Sequence, residues 1–308
     1  MSAGGDGTIR IGVSRPPTPP HPIPDVDGGL VAVIAEELGF ESLFYGEHPI
    51  RPVEQAGYGV HEHGVPFFQD TTVMLARATA LTTRLVVGGA VFLVPEHNPV
   101  LFAKQLASID LYAGGRVVVG AGVGWSRIEC ELLGGDFDHR WAQTCESIEV
   151  MKKLWTEKTV TYAGEFFTVP PVQLFPPPAT PGGPPVLIGA GLSRRVCDRI
   201  IRCADGWIPA FVTPPTVTSG PATVREGRAM LDRAATDADR DPSGLQITAI
   251  IRGDQVDGDT STREVVRRDV VERFAEAGAD RVLVSMPTVT DEATARAALE
   301  RIAASVLR

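Results

Sequence analysis

Lysine is nearly missing from this chain of 308 residues: there are four, Lys104, Lys152, Lys153 and Lys158. All four fall in expected helices or in a proline-rich segment, whereas Schiff-base chemistry on a barrel needs a lysine at a strand end. That argues against a barrel aldolase or lyase. Cysteine is equally sparse. Cys130, Cys145, Cys197 and Cys203 form no CxxC pair and match no zinc or disulfide spacing, so reduced, buried thiols in a cytoplasmic protein are expected. No run of Lys and Arg relieves the formal charge of −9, which argues against nucleic-acid binding. No apolar run is long enough to span a bilayer, and MSAGGDGTIRIG has no basic stretch leading into an apolar one.

What is present is an alternation. TIRIGVS (Thr8–Ser14) is short, β-rich and ended by Pro16 and Pro17. Asp25 or Asp27 then caps the periodic stretch LVAVIAEELGF, closed by Gly39. Strand SLFYGEH (Ser42–His48) precedes a loop of about twenty residues, a length that marks function or disorder in a compact domain. Further strands are expected at Arg84–Val94, Arg116–Ala121, Pro184–Gly191, Asp205–Phe211, LQITAII and DRVLVSM. Helices are expected at TTVMLARATALTT (Thr71–Thr83), after the long loop, and at Pro99–Leu111, Arg140–Trp155, Ser193–Ala204, Ala222–Ala235, Arg263–Ala277 and Asp291–Val306.

Strands alternating with helices imply parallel pairing through right-handed crossovers. Eight such units in one series fit a single-domain (β/α)8 TIM barrel, with its site in the loops after the strands. An open doubly wound sheet would need a glycine-rich first turn, and that turn reads SRPPTPPHPIPD. One insertion, residues 156–184 between the fourth main helix and the fifth strand, breaks the rhythm. A small hairpin is expected around Gly164, and eight prolines between Pro170 and Pro185 enforce extended backbone. Its expected place is at the barrel mouth or flanking it, as pocket wall, lid or surface strap.

Several stretches then agree in order and spacing: NPVLFAKQLASIDLYAGGR, GGRVVVGAGVGWSRIECELLG, SIEVMKKLWTEKTVTYAGEFF, PPVLIGAGLSRR and ADGWIP. Over residues 8–210 the chain resembles the bacterial-luciferase-like superfamily, most closely its coenzyme F420-dependent branch. The resemblance implies a barrel, commonly dimeric, holding a reduced flavin or deazaflavin. It also implies a non-prolyl cis peptide, between Ala90 and Val91 in Gly88, Gly89, Ala90, Val91, whose bulge backs the cofactor ring.

In GEHP, Glu47 would bind the cofactor tail or order His48, and His48 would face the ring as proton donor or substrate contact; its ordinary pKa suits that role. Trp125 would line the cofactor or substrate pocket, with Glu129 beside it. The absence of an acid at position 125 argues against a sugar-phosphate substrate. Gly189, Ala190, Gly191 and Ser193 run into a helix N-terminus, where exposed N–H groups bind phosphate. Arg194 and Arg195 oppose the helix dipole there, which an anion would relieve. His61 and His63 lack a third ligand at a recognisable spacing, so no metal is expected; a lid position near the substrate is. The leading reading is hydride transfer between F420 and a small organic molecule. An FMN-dependent monooxygenase and a non-catalytic flavin-binding barrel are the alternatives.

Overall fold

In the computed structural model the described residues are 9–15, 26–50, 52, 68–209, 220–251 and 266–308. Eight parallel strands close into a barrel: β1 (Arg10–Arg15), β2 (Ser42–Tyr45), β3 (Val86–Leu93), β4 (Val117–Gly122), β7 (Val186–Ala190), β8 (Gly206–Pro209), β9 (Gln246–Ile251) and β10 (Arg281–Ser285). Closure is direct, since β1 pairs with β10 in the register Gly12↔Leu283 and with β2 in the register Val13↔Leu43. The expected TIM barrel is the observed fold.

Helices α1 (Gly28–Leu38), α2 (Thr71–Leu81), α3 (Pro99–Ala113), α5 (Arg140–Thr156), α6 (Arg194–Cys203), α7 (Pro221–Asp237), α8 (Arg268–Glu276) and α9 (Glu292–Val306) cover the barrel. Their ends follow local chemistry. Asp27 caps α1 by accepting from the Gly29 amide, and Asn98 caps α3 with Pro99 at its first position. Gly114 ends α3 at φ 63°, a conformation that favours glycine. The stretch before α5 contains a short helix α4 (Arg127–Leu132), capped by Ser126, that is not among the helices expected from the sequence. Six residues are too few for a 3.6-residue periodicity to stand out.

Inside the barrel, Phe44, Val118, Leu187, Ile208 and Leu283 form a buried middle layer. Below it, the guanidinium of Arg281 is 2% exposed. It makes two hydrogen bonds to Glu41, at 2.8 and 2.7 Å, and lies over the Phe44 ring. The tube is therefore filled apolar at mid-height and ionic at its floor.

The hairpin expected around Gly164 is present, as β5 (Val160–Ala163) against β6 (Thr168–Val172). Its position corrects the expectation of a segment at the mouth. The amides of Glu165, Phe166 and Phe167 donate to Glu146, and the Tyr162 hydroxyl donates to Glu149, so the hairpin lies along α5. The rest runs past the start of β4, where Thr180 donates to Asp110 at 2.7 Å through its amide. The reason is topological: the segment links a helix to the next strand, and such links lie at the N-terminal ends of the strands, opposite the site.

Gly120 of β4 tests how tight the inner wall is. A Cβ there would stand 2.2 Å from the Gly89 carbonyl oxygen and 2.8 Å from Ile208 Cδ1. Gly120→Ala should cost about 1–3 kcal/mol, read as a lowered urea midpoint. Gly244→Ala, with nothing within 4 Å of the new methyl, should stay within about 0.5 kcal/mol of the parent.

Candidate functional site

The strand ends gather most of the expected residues at one mouth. A cis peptide joins Ala90 to Val91, and the β3–β4 register shifts between Gly89 and Phe92. Ala90 and Val91 are half-buried and pack on the middle layer from above. The Val91 side chain points across the tube. A Cβ on Gly122 would meet its Cγ2 at 2.4 Å, and one on Gly189 would meet its Cγ1 at 2.5 Å. Gly88 and Gly89 do different work, because added methyls would strike the rings of Phe44 and Phe92 at 2.7 and 2.4 Å. They are packing glycines beneath the step formed by Ala90 and Val91.

His48 follows β2. Its Nδ1 lies 2.8 Å from Glu129 Oε2, and the Trp125 indole N–H donates to its Nε2 at 3.2 Å. An N–H donated to Nε2 requires a lone pair there. The proton therefore sits on Nδ1, facing the carboxylate. Glu129 is fully buried and also accepts from the Ile50 amide at 3.3 Å. It holds His48 from behind and does not line the pocket, a correction to its expected place. The Trp125 ring meets the imidazole edge to face at 5.4 Å.

Glu47 is buried, and its Oε2 accepts from the Leu93 amide at 2.6 Å and contacts His97 Nε2 at 2.9 Å. It orders His97 and the end of β3 in place of His48. His97 stacks on Phe102 with ring centroids 4.2 Å apart.

Glu96 was not singled out by sequence reasoning, nor was His97. Glu96 ends a one-turn 3-10 helix, Val94–Glu96, and is 7% exposed; both carboxyl oxygens are buried with no hydrogen-bond partner among the described residues. Burial, then the charges of Glu129 and Glu47, push its pKa up to about 9. The available signal was position alone, since titratable residues in the first turn after a barrel strand are site candidates.

On the far side of the mouth, Ser193 caps α6 by accepting from the Val196 amide at 3.3 Å. Gly189 lies against Val91, the Ala190 carbonyl accepts from the Trp207 indole at 2.8 Å, and Gly191 is half-buried. Arg194 is turned away. Its guanidinium pairs with Asp198 at 2.9 Å and Asp237 at 3.3 Å, down the outside of α6. Arg195 is exposed at the first turn. His61 and His63 lie outside the described residues. Among the described residues no three His, Cys, Asp or Glu side chains are arranged to hold a metal ion, and no helix is long and apolar enough to cross a membrane.

The family model for luciferase-like monooxygenases matches residues 29–276. An uncharacterized protein of Mycobacterium tuberculosis is 34% identical over 283 residues, 89% of this chain and 92% of that one. An FMNH2-dependent dimethylsulfone monooxygenase of Pseudomonas putida is 31% identical over 204 residues, 59% of this chain and 53% of that enzyme. An F420-dependent glucose-6-phosphate dehydrogenase of Nakamurella multipartita is 31% identical over 193 residues, 61% and 52% of the two chains. Among solved structures, a monooxygenase from Streptomyces bottropensis superposes with a TM-score of 0.76 at 20% identity, covering 97% of this chain and 99% of that one.

Glu96 supplies a pH test of the site. Between its ordinary 4.5 and about 9, the folded protein holds a proton that the unfolded chain releases, so this carboxyl lowers stability as pH rises through that window. Glu96→Gln should remove the dependence. Its melting temperature should gain on the parent steadily from acid pH to about pH 9 and gain no further above it.

Proposed function

The chain belongs to the luciferase-like monooxygenase family, and on that premise we propose that it is an oxidoreductase passing hydride between coenzyme F420 and a small organic substrate. The observation that carries this reading is the apolar step of Ala90 and Val91, half-buried above a fully filled barrel, beside the histidine–carboxylate pair of His48 and Glu129. A flat apolar step of that kind fits the face of a tricyclic ring. The N-terminus of α6 fits its phosphate. F420 bound there would accept the hydride in its oxidised form and supply it in its reduced form.

The chain's own part is proton handling. With its proton on Nδ1, His48 offers the Nε2 lone pair to a substrate hydroxyl placed where the Trp125 N–H now sits. Taking that proton makes an imidazolium whose Nδ1–H still faces the Glu129 carboxylate, which stabilises the charge. In the reverse direction Nε2–H protonates the oxygen of a carbonyl that has received hydride. Glu47 and His97 keep the end of β3, and so the apolar step, in place.

FMN is the second reading, and one relative depends on FMNH2 while another depends on F420. With FMN the same mouth would serve a monooxygenase. Titration of the protein with F420 and with FMN, followed by fluorescence, separates the two. Tight F420 binding without FMN binding supports the proposal, and the converse overturns it. Stoichiometric binding without turnover against alcohols and carbonyls would make this a non-catalytic flavin-binding barrel. Within the titration, Arg195→Ala should weaken F420 binding several-fold at low salt and less at high salt. Arg194→Ala, already neutralised by two aspartates, should change it little.

A reducing cytoplasm suits four cysteines that are all buried and free. A second copy of the chain is the expected partner. Leu81, Leu101, Leu111 and Tyr112 stand 42–84% exposed on the adjacent helices α2 and α3, and apolar side chains so exposed would be covered by a second copy docked on these helices. Light scattering should give the mass of a dimer for the parent and of a monomer for Tyr112→Glu.

A further inference from the structure

Three buried carboxyls stand together behind the mouth, and their hydrogen bonds divide unequally. Glu47 receives the Leu93 amide and His97, and Glu129 receives the Ile50 amide and His48. Both are supplied with donors suited to an anion. Glu96 receives nothing at either oxygen from the described residues. Isolated charge is the costliest thing to bury, and a carboxyl without donors sheds it by keeping its proton.

The place of that carboxyl matters. A Cβ on Gly124 would stand 3.1 Å from Glu96 Oε1, so the side chain lies directly beneath the turn between β4 and α4. The next residue in that turn is Trp125, whose indole N–H reaches His48. The two charges that act on Glu96 are both negative. Glu47 approaches from the end of β2 and Glu129 from α4. Cys130, also on α4, is a buried thiol whose pKa is pushed up to about 11 by burial and then by Glu96. His97 is occupied with Glu47. From α5, Arg140 donates to the Phe137 carbonyl and lies over the Phe137 ring. Among the described residues no cation pairs with Glu96.

We propose that Glu96 is a positioning residue for the contact between Trp125 and His48: seated uncharged beneath Gly124, it supports the turn that carries the indole, and its ionisation displaces that turn. A third negative charge between Glu47 and Glu129, with no donor to receive it, is relieved by hydration, and water reaches it by lifting the Gly124 turn. Trp125 then leaves the Nε2 lone pair of His48. Glu96 thus sets the pH range over which the indole covers the Nε2 lone pair of His48. The inference concerns the same mouth as the proposed reaction but rests on the side chains alone, whichever cofactor binds.

The test follows the Trp125 indole N–H resonance of the full chain, without cofactor, from neutral to strongly alkaline pH. The resonance is assigned by its loss in Trp125→Phe. In the parent it should shift in one step with its midpoint at about pH 9, while far-UV circular dichroism stays unchanged. Glu96→Gln, which keeps the shape and cannot ionise, should hold the neutral-pH resonance across that range, and Glu96→Leu should do the same. A purely structural role for Glu96 would lower stability in these variants and leave the titration step in place. The proposal is overturned by a step that survives in Glu96→Gln, by a parent resonance that does not move, or by both proteins losing their fold together at the same pH. A step centred at about 11 instead, abolished by Cys130→Ser, would assign it to the thiol and would equally overturn the proposal. None of these outcomes depends on F420 or FMN, so failure here leaves the redox reading to its own titration.

Discussion

Val91 needs room inside the barrel, and the mouth is arranged around that need. Its two methyl groups lie where Gly122 and Gly189 have no side chain, so three strands, β3, β4 and β7, are fitted to one residue. Close packing makes such a fit intolerant of an added methyl. The register shift that accompanies it places Phe92 against Phe102 and His97. His97 stacked on Phe102 then meets Glu47, which also takes the Leu93 amide. A single wedge thus governs both the apolar step and the polar frame beside it.

Charge at the mouth follows a second constraint. Buried carboxylates are tolerated in proportion to the donors they receive, and the backbone amides of Ile50 and Leu93 supply Glu129 and Glu47. The two histidines are held by different acids, His48 by Glu129 and His97 by Glu47. They therefore sit in separate frames, one at the mouth with Trp125 and one tying β2 to β3.

The barrel was legible from the chain because eight strand–helix units carry strong periodicity and clear caps, such as Asn98 with Pro99 and Gly114. The site was legible in part. His48, Trp125, Ala90 and Val91 sit at strand ends, and the motifs around them agree in order. Partnership was not legible, because it depends on which loop lies over which. Glu129 reaches His48 across 81 positions of sequence and Glu47 reaches His97 across 50, and no local pattern encodes either pairing. Glu96 escaped notice for the same reason: a glutamate beside a histidine in PEHNP looks like solvated surface until the turn at Gly124 is known to cover it. Arg194 shows the opposite error, a charge placed well in sequence but drawn off by Asp198 and Asp237. The hairpin in the insertion was legible, but its place was left between the mouth, which it does not occupy, and the barrel's flank, though its position between a helix and a strand already held the answer.

The plugged tube has a kinetic consequence. With Phe44 and its neighbours filling mid-height and the Arg281–Glu41 pair closing the floor, no molecule crosses the barrel from end to end. Two guests sharing this mouth would queue in a cul-de-sac, the one against Val91 arriving first and leaving last. Exchange of the outer guest can then proceed many times while the inner one stays, and a compound that lodges on the outside traps its neighbour without competing for its seat.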